Sequence, residues 1–476
     1  MEIDQLKRVM KSRHLTMLSL GGVIGTGLFL TSGYTIGQAG PGGAIVSYLV
    51  AGLLCYLVMN CLGELSMVMP VSGSFQAQAA RFVGPATGFA VGWTYWINWG
   101  VTIGAEFTAA GILMQHWFPS SPVWIWSTVF VVLLFSINML SAKGFAETEF
   151  WFSSIKVMTV VIFIVIGLGA MFGAVSIGDK PAPYLNNLFS DGGLFPNGFT
   201  SILITIVAAA YAFQGAEVLG IAAGETKDPE KNIPKAIRTV ALRIGFFYIL
   251  AMFVLASLVP WRQAGLLESP FVTVFQLTGI PYAADIMNFV ILTALLSVGN
   301  SGLYASSRML FAMSQSGMAP ATFGKADKRG VPTRALIATL CFAFLSLLTS
   351  FIAADTVFML LVSIAAIATT FTWLIIPLAQ YNFRKQFMKS GGKVEDLKFS
   401  VSLFPLTPLL CIVLCIGMLA SALLDPTQRL SIYIGAVGVA LCYLYYYVRY
   451  TRIGETPSIL KSAADWTPEL AEKNPQ

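Results

Sequence analysis

From Thr16 to Val448 the chain passes through one apolar stretch of about twenty residues after another, with no extended polar block between them. About twenty residues of helix, at a rise of about 1.5 Å each, cross a hydrocarbon core roughly 30 Å thick. Such windows lie near residues 16–37, 43–66, 87–113, 123–141 and 154–173, then near 199–221, 240–260, 283–305, 334–352 and 357–381, and finally near 404–424 and 430–448. Lipid cannot hydrogen-bond a free backbone, so a repeated apolar pattern of this length calls for helices. The expected fold is an all-α polytopic membrane protein with twelve transmembrane helices. Composition agrees, since 56% of the 476 residues are hydrophobic and 11% charged, a balance unsuited to a water-facing surface.

The first fifteen residues carry Lys7, Arg8, Lys11 and Arg13 and run straight into a glycine-rich apolar stretch, with no small-residue cleavage pattern. No cleaved signal peptide is expected. With both termini in the cytosol, only Lys180, Arg262 and Arg429 of the 29 Lys and Arg fall outside, the asymmetry that an even number of spans produces. The expected organisation is a cytosolic arm over 1–15, two five-helix halves over 16–173 and 199–381, a terminal pair over 404–448 and a cytosolic tail over 449–476, in the cell membrane. Basic groups such as Arg81, Lys143, Arg308 through Arg334 and Arg384 through Lys398 read as topology signals rather than ligand sites. The net charge of +6 is spread among these loops, which argues against a nucleic-acid surface. All six cysteines lie in apolar spans, and Cys411 and Cys415, one turn apart, read as packing. His116-Trp117-Phe118-Pro119 and Val123-Trp124-Ile125-Trp126 mark an outer boundary, where amphipathic rings favour the headgroup zone.

Two spans contain breaks. Gly21-Gly22-Val23-Ile24-Gly25-Thr26-Gly27 sets four glycines in the first span, each weakening a helix by about 1 kcal/mol relative to alanine. A small-residue helix contact is the plain reading of this motif alone. In the sixth span, Tyr211-Ala212-Phe213-Gln214-Gly215-Ala216-Glu217 places a glycine, an amide and a carboxylate among apolar neighbours. Unwound backbone at bilayer depth must be buried in protein or line a cavity. Breaks of equal rank in two five-helix halves point to an inverted-repeat transporter, where freed N–H groups take an anion and freed carbonyls a cation. A zwitterion offers both.

These segments, with Arg13-His14, Ala39-Gly40-Pro41 through Gly63-Glu64 and Pro70, Ala223-Gly224-Glu225 through Asn232-Ile233-Pro234, and Asn300-Ser301-Gly302-Leu303-Tyr304-Ala305, resemble the amino-acid permeases of the amino acid, polyamine and organocation superfamily, in its bacterial and fungal amino-acid transporter branch. The resemblance covers nearly the whole chain. It implies a five-plus-five inverted-repeat (LeuT-like) core with the first and sixth helices discontinuous, two added C-terminal helices, and alternating access around a central site. It further implies that the substrate carboxylate takes the N–H groups of Thr26 and Gly27, and the ammonium the carbonyls of Val23, Tyr211, Ala212 and Gln214.

An ionisable side chain at membrane depth costs roughly 2.5 to 3.5 kcal/mol on insertion scales, so each one is a candidate for function. Glu106, Lys156 and Glu217 qualify, with Glu64 and Asp285 nearer the interfaces. Glu106 can pair with a cationic side chain, shuttle a proton, or simply hydrogen-bond to backbone or to Asn98. Lys156 either snorkels to the cytosolic interface or, as the resemblance implies, stands where sodium-driven relatives hold a cation between their first and eighth helices. Its protonation would then set how tightly the first and fifth helices hold together. Glu217 reads equally as a structural cap and as a proton-linked group. Glu225, Asp228, Glu230 and Lys231 form a loop that is either solvated or a salt-bridged latch.

An enzyme is disfavoured because His14 and His116, the only histidines, stand at opposite membrane edges with no nucleophile or metal cluster beside them. A channel lacks a filter repeat, and no cofactor or metal is called for. The expected function is import of an amino acid by proton symport, with exchange as the alternative. The string of matches, including Ser269-Pro270-Phe271-Val272 and Ile280-Pro281-Tyr282-Ala283-Ala284-Asp285, most resembles permeases for arginine and ornithine, with S-methylmethionine, histidine and aromatic carriers as near competitors.

Overall fold

A computed structural model describes Met17 and residues 22–452, apart from 72, 140–141, 177–180, 224–225, 227–228, 266–268, 328–329 and 351. The arm over 1–15 with His14, and Gly21, Glu225, Asp228 and the tail beyond 452, lie outside the described residues. Every element among the described residues is helical.

The chain leaves a non-helical segment at 22–25 into a single turn, α1 (Thr26–Phe29), and then α2 (Thr31–Val68). At 38 residues α2 is longer than one crossing needs, and its helical path is broken at Gly40, with φ 74° and ψ 176°. Pro41 supplies no N–H, and only glycine takes the preceding conformation cheaply. A methyl group on Gly40 would also lie 2.4 Å from Pro196. The break therefore divides the apolar run where the sequence windows divide it.

A short amphipathic helix, α3 (Ser74–Phe82), leads to α4 (Pro85–Met114), which opens on a proline whose missing N–H costs nothing there. Next come α5 (Val123–Asn138), α6 (Ala142–Met171) and the single turn α7 (Asn186–Phe189). The second interrupted rod follows, with α8 (Gly198–Tyr211) separated from α9 (Val218–Ala222) by turns over 212–217. Then α10 (Pro229–Ile244) passes through a π-helical turn, Gly245–Ile249, into α11 (Leu250–Leu258). After α12 (Pro270–Leu277) come α13 (Ala283–Gln315) and α14 (Thr333–Leu340), the latter drawn out as a 3-10 helix over Cys341–Ser350. The chain ends with α15 (Ala354–Lys389), α16 (Leu406–Ser421) and α17 (Pro426–Tyr446).

Among the described residues, five helices are long and apolar enough to cross a membrane: α2, Glu147–Met171 of α6, α13, Thr356–Lys389 of α15, and Pro426–Tyr450 through α17. Others, such as Val123–Asn138 and Gly198–Tyr211, are apolar but shorter. The helices α3, α7 and α12 fall outside the apolar windows because none is long enough to register in a twenty-residue average. Likewise α6 begins at Ala142 rather than near 154, and α13 runs on to Gln315 rather than 305. In α13 the extension holds Arg308, which is 3% exposed, so a charge that ends an apolar window does not end the buried helix.

Burial separates centre from rim. The apolar window of α13 is 83% buried and that of α17 only 11%, which places α13 in the middle and α17 at the edge. Leu409, Val413 and Ile416 of α16 and Val437, Leu441 and Leu444 of α17 point outward. Such exposed apolar faces suit lipid tails.

Two residues read from the sequence as peripheral are each other's partners. Glu64 of α2 and Arg384 of α15 are almost fully buried and form a two-pronged ion pair, with Nε at 2.8 Å from Oε1 and Nη2 donating to Oε2. Gln380 Nε2 and the Val401 N–H complete the carboxylate's shell at 3.0 and 2.6 Å. Burying two charges is costly, and it is tolerated when geometry and extra hydrogen bonds satisfy both. Arg384 is thus a tie between α2, α15 and the segment before α16 rather than a topology signal alone. Asp285 meets His116 Nε2 at 2.9 Å and Trp117 Nε1 at 3.0 Å at the partly exposed end of α13. Of the segment read as either a solvated loop or a salt-bridged latch, Glu230 lies in the first turn of α10 and pairs with Lys398 at 2.8 Å, on the exposed surface.

Candidate functional site

The two interruptions lie against one another. A methyl group on Gly27 would stand 2.2 Å from Ala212 Cα, and one on Gly215 would stand 2.3 Å from the Gly22 carbonyl oxygen. Backbone therefore touches backbone, and only residues without a side chain permit it.

The freed peptide groups are partly claimed. Tyr248 donates to the Val23 carbonyl at 2.8 Å, Lys156 Nζ to the Ile24 carbonyl at 3.1 Å, and Tyr48 to the Gly27 carbonyl at 2.5 Å. The Thr26 and Gly27 N–H groups find no backbone acceptor among the described residues. Across the gap the Tyr211 carbonyl accepts from the Gln214 N–H at 3.1 Å, while those of Ala212 and Gln214 accept no hydrogen bond among the described residues. The two interruptions thus hold buried peptide groups without a backbone partner, which a buried backbone permits where a ligand or water completes them.

Between the interruptions lies a small cavity. Val23, Gly25 and Gly27 line it on one side, Tyr211 and Gln214 on another, with Trp99, Thr102 and Glu106 of α4 and Val298 of α13 closing it. Glu106 Oε1 accepts from the Thr26 hydroxyl at 2.7 Å and the Tyr211 hydroxyl at 3.2 Å. Its Oε2 is buried without a partner, as is Gln214 Oε1, whose amide nitrogen donates to the Thr102 hydroxyl at 2.8 Å. Trp99 Nε1 is the unpaired donor on the same wall. Asn98 is engaged elsewhere, its amide nitrogen donating to Thr369 at 2.9 Å, so it does not hold Glu106.

Of the residues singled out in the sequence, Val23, Gly27, Glu106, Tyr211 and Gln214 line the cavity, and Thr26 reaches it through Glu106. Ala212 packs behind, against Gly27, and offers only its carbonyl. Trp99 and Thr102 were missed, although they sit seven and four residues before Glu106, on the same helix face. Val298 and Tyr248 carry no sequence signal of their own.

Lys156 is fully buried, with its ammonium on the first interruption rather than at a water interface. Glu217 closes the second: its carboxylate accepts from the Gly215 N–H at 3.2 Å, Tyr95 at 3.4 Å and Trp373 Nε1 at 3.3 Å. The carboxylate thereby replaces the hydrogen bonds that Gly215, at φ 102°, withdraws from the helix, and ties the break to α4 and α15. Trp373→Phe keeps the ring and removes that N–H; it is expected to destabilise the protein by about 1–2 kcal/mol, read as a lower melting temperature of the purified carrier in detergent.

The amino acid permease family model matches residues 14–453. The chain is 54% identical over 447 residues to the putative histidine permease of Bacillus subtilis (strain 168), covering 94% of each chain. It is 52% identical over 446 residues to the amino-acid permease RocE of the same organism, covering 94% of this chain and 95% of the relative. With the lysine-specific permease LysP of Escherichia coli (strain K12) it shares 44% identity over 423 residues, 87% of this chain and 86% of that one. A family match spanning both interruptions, α4 and the apolar helices that enclose them leads to one conclusion: the chain belongs to the amino acid permeases, multi-pass membrane proteins of amino-acid transport.

Proposed function

We propose that the chain imports a basic amino acid, such as arginine or ornithine, by proton symport and alternating access. The reading takes the protein as twelve transmembrane helices in a five-plus-five inverted repeat over 16–173 and 199–381, with an added pair over 404–448. It sits in the cell membrane with the arm over 1–15 and the tail over 449–476 in the cytosol. The substrate carboxylate meets the N–H groups of Thr26 and Gly27, and its ammonium meets the carbonyls of Val23, Tyr211, Ala212 and Gln214. Val23 shares its carbonyl with Tyr248 and keeps a second lone pair for the substrate.

The observation that carries the reading is Glu106 Oε2, an unpaired carboxylate oxygen buried in the cavity wall beside the equally unpaired Gln214 Oε1. An unpaired buried charge is costly, and a cationic side chain relieves it. Two relatives whose names state a substrate, one for histidine and one for lysine, point to side chains that can carry positive charge. Lys156, fully buried with its ammonium on the Ile24 carbonyl, is the coupling group, and Glu217 holds the second break.

The test is uptake in proteoliposomes with one labelled amino acid against all common ones, with and without an imposed pH gradient. Arginine, ornithine and lysine are expected to compete best, and accumulation is expected to collapse when an uncoupler is added. Neutral amino acids competing equally well would reject the basic-substrate reading. Uptake indifferent to the uncoupler would reject symport.

A further inference from the structure

Glu149 lies on α6 seven residues before Lys156, takes no part in the cavity and is 1% exposed. Seven residues are two turns, so the two side chains share a face within about 20° and are separated by about 10 Å of rise along α6. Three groups donate to the Glu149 carboxylate: the Ser297 hydroxyl at 2.6 Å, the Ser153 hydroxyl at 3.2 Å and Asn300 Nδ2 at 3.3 Å. The Asn300 amide is oriented from its far side, where Asn138 Nδ2 donates to its oxygen at 2.6 Å. Asn138 belongs to α5, and Ser297 and Asn300 to α13. A shell made of donors suits an ionised carboxylate, and an ionised carboxylate in a dry interior needs a cation.

The cation is Lys156. It is fully buried on the same face of α6 as Glu149, and Glu106 of α4 lies in the cavity wall beside Val23 and Gly25 of the first interruption. Among the described residues, Glu147 of α6 lies about 200° round the helix from Glu149 and is only partly buried, while Tyr304 of α13, whose ring stacks on Phe145 at 4.3 Å, and Arg308, whose guanidinium lies 4.0 Å over that ring, also face this region. On the side of the first interruption stands Tyr248, donating to Val23. None of these last three is an anion at neutral pH; with Glu106 facing the cavity, Glu149 is the counter-charge outside it.

We propose that Glu149 is a positioning residue for the coupling lysine: anchored to α13 by Ser297 and Asn300, it keeps the Lys156 ammonium protonated against the Ile24 carbonyl. The inference rests on the reading of Lys156 as the coupling group. It joins α5, α13, α6 and the first interruption through one proton. When that proton leaves, the link to the Ile24 carbonyl loses its charge, while the links from Glu149 to α13 stay in place.

The test measures initial uptake of a radiolabelled mixture of the common amino acids across a pH series, in proteoliposomes of the wild type, Glu149→Gln and Glu149→Asp. Glutamine keeps one oxygen to accept from Ser297 and Ser153, gives up the acceptor for Asn300 Nδ2 and lacks the charge; aspartate keeps the charge. In Glu149→Gln the alkaline limb of the profile is expected to move to lower pH by about one unit, and in Glu149→Asp to stay near the wild type. Where Glu149→Gln inserts poorly, Ser297→Ala, which removes the shortest donor to the carboxylate, is expected to move the same limb in the same direction by less. An unshifted limb in both, or Gln and Asp variants that lose uptake equally at every pH, overturns the proposal. Failure of the underlying reading has a different signature, since wild-type uptake itself would then be flat across the pH series.

Discussion

Gly215→Ala is expected to reduce uptake by at least about 100-fold, and to lower the melting temperature of whatever protein is recovered. Two costs coincide at this residue. Its φ of 102° is one that residues with a side chain adopt at a cost of about 1–3 kcal/mol. Its added methyl would also stand 2.3 Å from the Gly22 carbonyl oxygen, which is backbone and cannot rotate away. Relief requires the two interruptions to separate, which displaces the very peptide groups that face the cavity. The matched control is Gly417→Ala on α16, where a methyl meets nothing within 4 Å. Alanine is the better helix former by about 1 kcal/mol, so that variant is expected to keep wild-type uptake and stability. If Gly215→Ala transports normally, the contact between the interruptions is not what shapes the site.

Glu106→Gln is expected to weaken uptake of arginine and lysine by about 10- to 100-fold, corresponding to about 1.5–3 kcal/mol for a hydrogen bond to a charged group. Any neutral amino acid the carrier accepts is expected to change far less. The variant keeps an oxygen to accept from Thr26 and Tyr211 and exchanges the unpaired Oε2 for an amide nitrogen. Charge is removed while shape is kept. The measurement is initial uptake of each substrate at matched carrier density. Equal losses across substrates would show that Glu106 supports the site without choosing its ligand.

How much of this was legible beforehand differs residue by residue. The interruption around Gly25 and that around Gly215 were readable because glycine and buried polar groups violate the local rule for an apolar helix. Glu106 and Lys156 were readable for the same reason, each being the one charge in an apolar run. Glu149 escaped because it stands before the apolar window that begins near 154, though α6 itself begins at Ala142. Arg384 was misplaced because a basic residue past the end of an apolar run looks alike whether it faces water or a buried Glu64.

By itself, then, the order of residues determined that the chain is helical and apolar, where most of its long helices run, the places where two of them give way and that Glu106, Lys156 and Glu217 must be accounted for. These are local properties, set by side-chain polarity and backbone freedom over a few turns. Only the tertiary structure decided that Glu106 meets Thr26, 80 positions away, that Lys156 reaches the Ile24 carbonyl and that Glu149 is held by Ser297 and Asn300. Such pairings depend on which faces of separate helices are packed together, and helical periodicity tells which residues share a face but not which face it meets.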